Sequence, residues 1–162
     1  MFEKFNTPAE LFSYKLGSAL KMENTVLKML GRLEQEANAA PLKQQFSHHA
    51  EETRQQIRNI EQAFGALGEE PDRHTNLVIE AIDKEGLLNI KRAEDELVDA
   101  VILAGAAETE HHEIAVYEWL ITEADGLGKE QIATLLRANL EQEQHTLDEV
   151  RQATRQMAGA VA

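Results

Sequence analysis

The sequence predicts an all-α protein: four long helices in an antiparallel bundle, with one long crossover between the second and third. Three observations carry that reading. Ala, Leu, Glu and Gln are abundant while aromatic residues make up only 5%, a composition that favours helix. No segment alternates apolar and polar residues with the period of a half-buried strand. Start and stop signals cut the chain into stretches of roughly 27 to 32 residues, about 40 to 48 Å long as helices, which are bundle dimensions. A chain of 162 residues supports one domain, 1–162, around a single core.

The first helix is expected over about 8–37. Thr7 is its N-cap, Pro8 takes the first helical position where a missing N–H costs nothing, and Glu10 closes a capping box. "ANAAP" ends it. The second begins near Pro41 and runs over 41–67; Gly68 supplies the left-handed residue that terminates helices, and Pro71 prevents resumption. Residues 72–92 are less regular, with a short helix over about 76–84 and a break at Gly86, so they read as the crossover. The third long helix is expected over about 93–124 and the fourth over 129–157, separated by "DGLG", and the tail "AGAVA" is expected to fray.

Charge and composition exclude several functions. A net charge of -13 opposes nucleic acid and anionic membrane surfaces, both of which repel the protein at long range. With no cysteine there are no disulfides, thiolate zinc sites or cysteine nucleophiles. "MFEKFNTPAELF" lacks the pattern of a secretory leader, and no apolar run is long enough to span a bilayer, so a cytoplasmic protein is expected.

The apolar faces hold the functional signal. On the first helix Phe12, Leu16, Leu20, Val26, Leu27 and Leu30 share one face at helical spacing, with Glu23 in its middle. On the fourth, Ile132, Leu136, Leu140, Leu147 and Val150 flank Glu143 in the same way. The third helix, in "AGAAETEHHEIAVYEWL", places Glu113 among Val98, Ile102, Ala106, Thr109, Val116 and Leu120, with Glu110 one turn back. On the second, His49 and Gln56 interrupt Leu42, Phe46, Thr53, Ile60 and Phe64, and Glu52 lies on the flank. Each buried, ionised carboxylate costs several kcal/mol unless something positive meets it. No lysine or arginine stands on these faces, which leaves protons or a bound metal. Carboxylates with an imidazole and no thiolate suit iron or manganese, with zinc also acceptable. A carboxylate-bridged dimetal bundle has this logic, one Glu from each of two helices and Glu plus His from each of the others.

Three segments, "LF..KL..AL.MENTVLKML", "HAEET...I.NIEQAFGALGEEP" and "EHHEIAVYEWL", resemble the bacterial stress-associated ferritin-like family typified by the YciE and YciF proteins. The resemblance covers roughly residues 8–157. It implies a rubrerythrin-like or ferritin-like bundle, a centre of two iron or manganese ions and a homodimer. It also matches Glu23, His49, Glu52, Glu110, Glu113 and Glu143 to recurrent polar positions of the family.

The sequence departs from the usual Glu-x-x-His pattern. Gln55 stands three residues after Glu52 and Thr146 three after Glu143, where histidines are expected. On the second helix the order is reversed, His49 preceding Glu52, which still puts both on neighbouring rows of one face. Gln56 reads as a core hydrogen-bonding residue, Tyr117 as packing or as support for the ligands one turn from Glu113, and His145 as a supporting or surface residue. His48, His74, His111 and His112 read as surface, because adjacent residues on a helix diverge by about 100° and cannot chelate one ion together. Three functions stay open: a dimetal oxidoreductase acting on peroxide, oxygen or ferrous iron; an iron store; and a bundle with an empty or protonated site that dimerises or binds partners.

Overall fold

The computed structural model describes residues 4–160, and among them the chain forms five α-helices, one short 3-10 turn and no strand. Helix α1 spans Pro8–Glu36. Its first turn is capped as the sequence predicts, the Glu10 amide donating to Thr7 Oγ1 at 3.1 Å. The reciprocal bond closes one residue further out than a capping box, because the Glu10 carboxylate accepts from the Asn6 amide at 2.7 Å. Helix α2, Ala40–Leu67, follows after three residues and ends where Gly68 turns left-handed at φ 75, with the Glu69 amide donating to the Phe64 carbonyl.

The chain then crosses over α1. The His74 amide donates to the Gly17 carbonyl at 3.2 Å and the Ser18 hydroxyl to the Thr75 carbonyl at 3.2 Å. A Cβ on Gly17 would stand 2.5 Å from the His74 ring and 2.8 Å from the Asp72 carbonyl, so only glycine lets the crossover lie this close. His74 is stacked on Tyr14 and half-buried, and His112 contacts Asn76 Oδ1 at 3.3 Å, so neither is the surface residue the sequence suggested.

Helix α3 spans Leu77–Arg92 and corrects the sequence reading, which ended a short helix near residue 84 and broke the chain at Gly86. Asn76 caps α3 by accepting the Ile79 amide at 3.2 Å. The helix continues through Gly86 because Ile79, Ile82 and Ile90 pack against the core, and that burial outweighs the ~1 kcal/mol a glycine costs a helix. After the turn Asp95–Leu97, helix α4 runs Val98–Gly126, starting five residues later than expected. Helix α5 spans Glu130–Ala160. The tail expected to fray is thus helical through residue 160, and residues 161–162, like 1–3, lie outside the described part.

Helix α1 packs on α2, α3 and α4, while α5 packs on α4 and α2. Helix α4, flanked by α1, α3 and α5, is apolar around most of its circumference for that reason. Asp99 at its start ties in the α1–α2 turn, accepting the Asn38 amide at 2.6 Å and the Ala39 amide at 2.9 Å. Among the described residues no helix is long and apolar enough to cross a membrane.

Candidate metal centre

Midway along the helices, buried side chains from α2, α4 and α5 converge. His49, Glu110, Glu113 and Glu143 each present a nitrogen or oxygen within 4.8 Å of the others. His49 Nε2 lies 3.4 Å from Glu110 Oε1 and 3.8 Å from Glu143 Oε2. Its Nδ1 faces Glu52 Oε2 at 3.4 Å and the Thr146 hydroxyl at 3.3 Å. With Nδ1–H directed to Glu52, the Nε2 lone pair points into the carboxylates, the tautomer a metal-ligating histidine uses.

Glu23 of α1 completes the constellation from the opposite side. It is 0% exposed, and its Oε1 accepts a hydrogen bond from the Tyr117 hydroxyl. Tyr117 OH in turn accepts from Asn139 Nδ2 at 3.0 Å, and Asn139 Oδ1 accepts from Asn59 Nδ2 at 2.7 Å. Tyr117 is therefore more than an aromatic filler: it orients a carboxylate.

Electrostatics restate the crowding. Burial, partly offset by the Tyr117 hydrogen bond and by His49, raises Glu23 from 4.5 to about 7. Burial and then the neighbouring carboxylates hold Glu113 and Glu143 well above the usual carboxylate range. Burial alone would lower His49, but the contacts with Glu110 and Glu52 and the charge of Glu143 outweigh it and raise the imidazole. Glu52 is lowered, chiefly by its bond to His49.

Protein atoms do not satisfy the site. Glu23 Oε2, Glu110 Oε2, both oxygens of Glu113, both of Glu143, and His49 Nε2 are buried without a hydrogen-bond partner. Both amide atoms of Gln56 are in the same condition, so the side chain is not the bonded core residue expected of it. Orphaned oxygens around one imidazole fit a hard cation, and this cluster could hold a metal ion.

The site residues inferred from sequence divide accordingly. His49, Glu110, Glu113 and Glu143 come together, Glu23 lies close enough to raise Glu113 and Glu143, and Glu52 sits at the rim against His49. His145 does not join them: it is exposed, pairs with Glu149 at 3.5 Å, and reaches Glu52 only through its field. Asn59 and Asn139 were missed, and Thr146 was read only as an absent histidine; all three are buried, and their one sequence signal, an uncharged polar residue at core-face spacing, is weaker than that of a carboxylate.

Residues 7–161 match a family described as "Domain of unknown function (DUF892)". The chain belongs to this family. The DUF892 chain is 32% identical over 149 residues to Protein YciF of Escherichia coli strain K12, covering 86% of each. The crystal structure of that E. coli stress protein superposes with a TM-score of 0.91 at 28% identity, over 96% of this chain and 99% of the other. YcfI from Rhodopseudomonas palustris superposes at 0.90 with 30% identity, over 93% of this chain and 98% of the other. A protein from Xanthomonas campestris at 20% identity and a TM-score of 0.76, covering 96% of each chain, shares the fold. The DUF892 family has a ferritin-like helical fold.

Proposed function

We propose that this chain holds a carboxylate-bridged centre of two iron or manganese ions in a single-domain, ferritin-like four-helix bundle. In this reading α1, α2, α4 and α5 form an antiparallel bundle and α3 is the helix of the crossover. The observation that carries the proposal is the set of orphaned oxygens on Glu113 and Glu143, fully buried beside His49 Nε2. Uncompensated, they would cost several kcal/mol; two divalent cations would neutralise them. Glu23, His49, Glu110, Glu113 and Glu143 are assigned as ligands, and Glu52 is assigned to orient His49.

Bound iron or manganese would supply one-electron chemistry toward peroxide, oxygen or ferrous iron. The chain's own part is to exclude water, hold the Tyr117 hydroxyl against Glu23, aim His49 Nε2 inward, and release the protons of Glu23, Glu113 and Glu143 as cations bind. The likeness to an E. coli stress protein supports a role in bacterial stress. Pairing of two copies would cover Leu77, Val78 and Leu88, which α3 leaves exposed, and sedimentation measures it.

The second reading is a bundle that only pairs or binds partners. Gln55 and Thr146 favour it, since neither supplies the second imidazole of the usual pattern. Anaerobic titration of tag-free protein with ferrous ion decides. Saturable binding of two ions, reduced in Glu113→Ala and Glu143→Ala with the helical spectrum kept, supports the metal centre; absence of saturable binding leaves the second reading. Mixing the loaded protein with hydrogen peroxide or oxygen then reports oxidation faster than that of free ferrous ion, or no acceleration and no enzyme.

A further inference from the structure

Two small apolar chambers stand in series between the crevice among α1, α3 and α4 and the buried carboxylates. The outer one lies beneath the Arg32–Asp83 ion pair and is walled by carbon from Ile82, Leu87 and Ile102. The inner one lies between Val26 and Phe46 and ends on His49, Glu110 and Thr146. Met29, Leu33 and Ala106 belong to the walls of both, so these three side chains form the partition. Gly105 also lines the outer chamber, where an added Cβ would meet nothing within 4 Å.

Size and polarity together select an occupant. The outer chamber offers ≈ 30 Å³ and the inner ≈ 20 Å³ to the centre of a water-sized molecule. One such molecule needs about 10 to 15 Å³, so species of two or three heavy atoms fit, while a hydrated ferrous ion or a long organic hydroperoxide does not. Both dioxygen and hydrogen peroxide are small enough. Carbon walls discriminate between them: hydrogen peroxide must give up hydrogen bonds to water to enter, whereas dioxygen gives up none.

Resting on the metal-centre reading, we propose that the paired chambers admit dioxygen and hold it beside His49 and Glu110, so that an apolar diatomic is the small reactant of the site. Iron held by Glu23, His49, Glu110, Glu113 and Glu143 would supply the two electrons that, with two protons, convert one dioxygen to hydrogen peroxide.

The first test needs no metal. Methyl relaxation of the metal-free protein, measured under dioxygen pressure, should be enhanced by the paramagnetic gas several-fold more at Met29 and Val26 than at Leu136 and Ile132, which are also buried but line neither chamber; Val26, 2% exposed against their 0% and 1%, is the matched comparison. Ala106→Leu should suppress the enhancement at both methyls, Gly105→Leu should suppress it at Ile82, and Leu33→Ala, which opens the partition, should raise it. Relaxation at Met29 no greater than at Leu136 overturns the proposal, as does enhancement indifferent to all three variants. In the ferrous protein, Ala106→Leu should slow oxidation by dioxygen several-fold at unchanged metal stoichiometry, and an unchanged rate overturns the route. Failure of the metal centre itself registers separately, in the ferrous titration, and leaves the relaxation experiment to decide the chambers.

Discussion

Glu23 shows how one neighbour sets a carboxylate's behaviour. Burial pushes it up and the Tyr117 hydrogen bond pulls it part of the way back, to about 7. Tyr117→Phe should therefore raise Glu23 further, read from its side-chain carbon shift against pH; a fall would contradict the assignment. The same change leaves a Glu23 oxygen without its donor and one Asn139 amide proton without its acceptor, the amide keeping its bond to the Gln56 carbonyl at 3.2 Å, and should destabilise the metal-free protein by ~1 to 3 kcal/mol. A second prediction follows from proton linkage. Glu23, Glu113 and Glu143 are raised above the 4.5 they hold when unfolded, so the native state binds more protons and stability falls as pH climbs above about 4.5. His49 acts in the same sense, its contribution being full below 6.5 and lost as pH rises through its higher native value. Glu52, lowered in the native state, acts oppositely, contributing above 4.5 and losing that contribution as pH falls through its native value, but it lies at the rim, only partly buried, and weighs less. Metal-free protein should thus unfold at lower denaturant near pH 8 than near pH 5.5, and Glu143→Gln should flatten that slope; greater stability near pH 8 refutes the linkage. The carboxylates were legible in the sequence because a charge at apolar spacing stands out against leucines. The Tyr117 bond was not, since the direction of a phenol depends on which helix faces it, and Asn139 escaped notice because it carries no charge.

At the level of elements, caps were legible and the crossover was not. Thr7, Pro8 and Gly68 act through their own backbone neighbours, so local sequence suffices to place α1 and the end of α2. Gly86 misled because glycine's cost is local, whereas the burial of Ile79, Ile82 and Ile90 that overrides it comes from α1 and α4. Asp99, which reaches back about sixty residues to the α1–α2 turn, has no sequence signature at all. Two substitutions test these joints. Gly17→Ala should destabilise by ~1 to 3 kcal/mol, because the new methyl meets the His74 ring and the Asp72 backbone, and should quicken amide exchange at His74. Asp99→Ala, leaving two amides without an acceptor, should cost about 1 to 2 kcal/mol and fray the start of α2. Unaltered exchange at His74 in the first, or at Asn38 and Ala39 in the second, would show these contacts to be dispensable.

For the molecule as a whole, metal should act as a stabilising ligand. Cations that bind the native cluster and not the unfolded chain raise stability by about 2.7 kcal/mol at a hundredfold excess over the dissociation constant. Adding ferrous or manganous ion should raise the unfolding midpoint, and a chelator should return it; identical midpoints with and without ion would contradict a native-state site. The distribution of the carboxylates gives that stabilisation a geometric character. Glu23, His49 and Glu52 lie before the crossover, on α1 and α2, while Glu110, Glu113 and Glu143 lie after it, on α4 and α5. In the metal-centre reading each helical hairpin would carry part of the binding site, and only their meeting would make a whole one. A bound ion would serve as a clasp between the two halves, replaced on its withdrawal only by the protons that the crowded carboxylates then take up. Nicking the exposed Glu69–Asp72 segment of intact protein should leave the two halves associated while metal is present, and chelation should let them part.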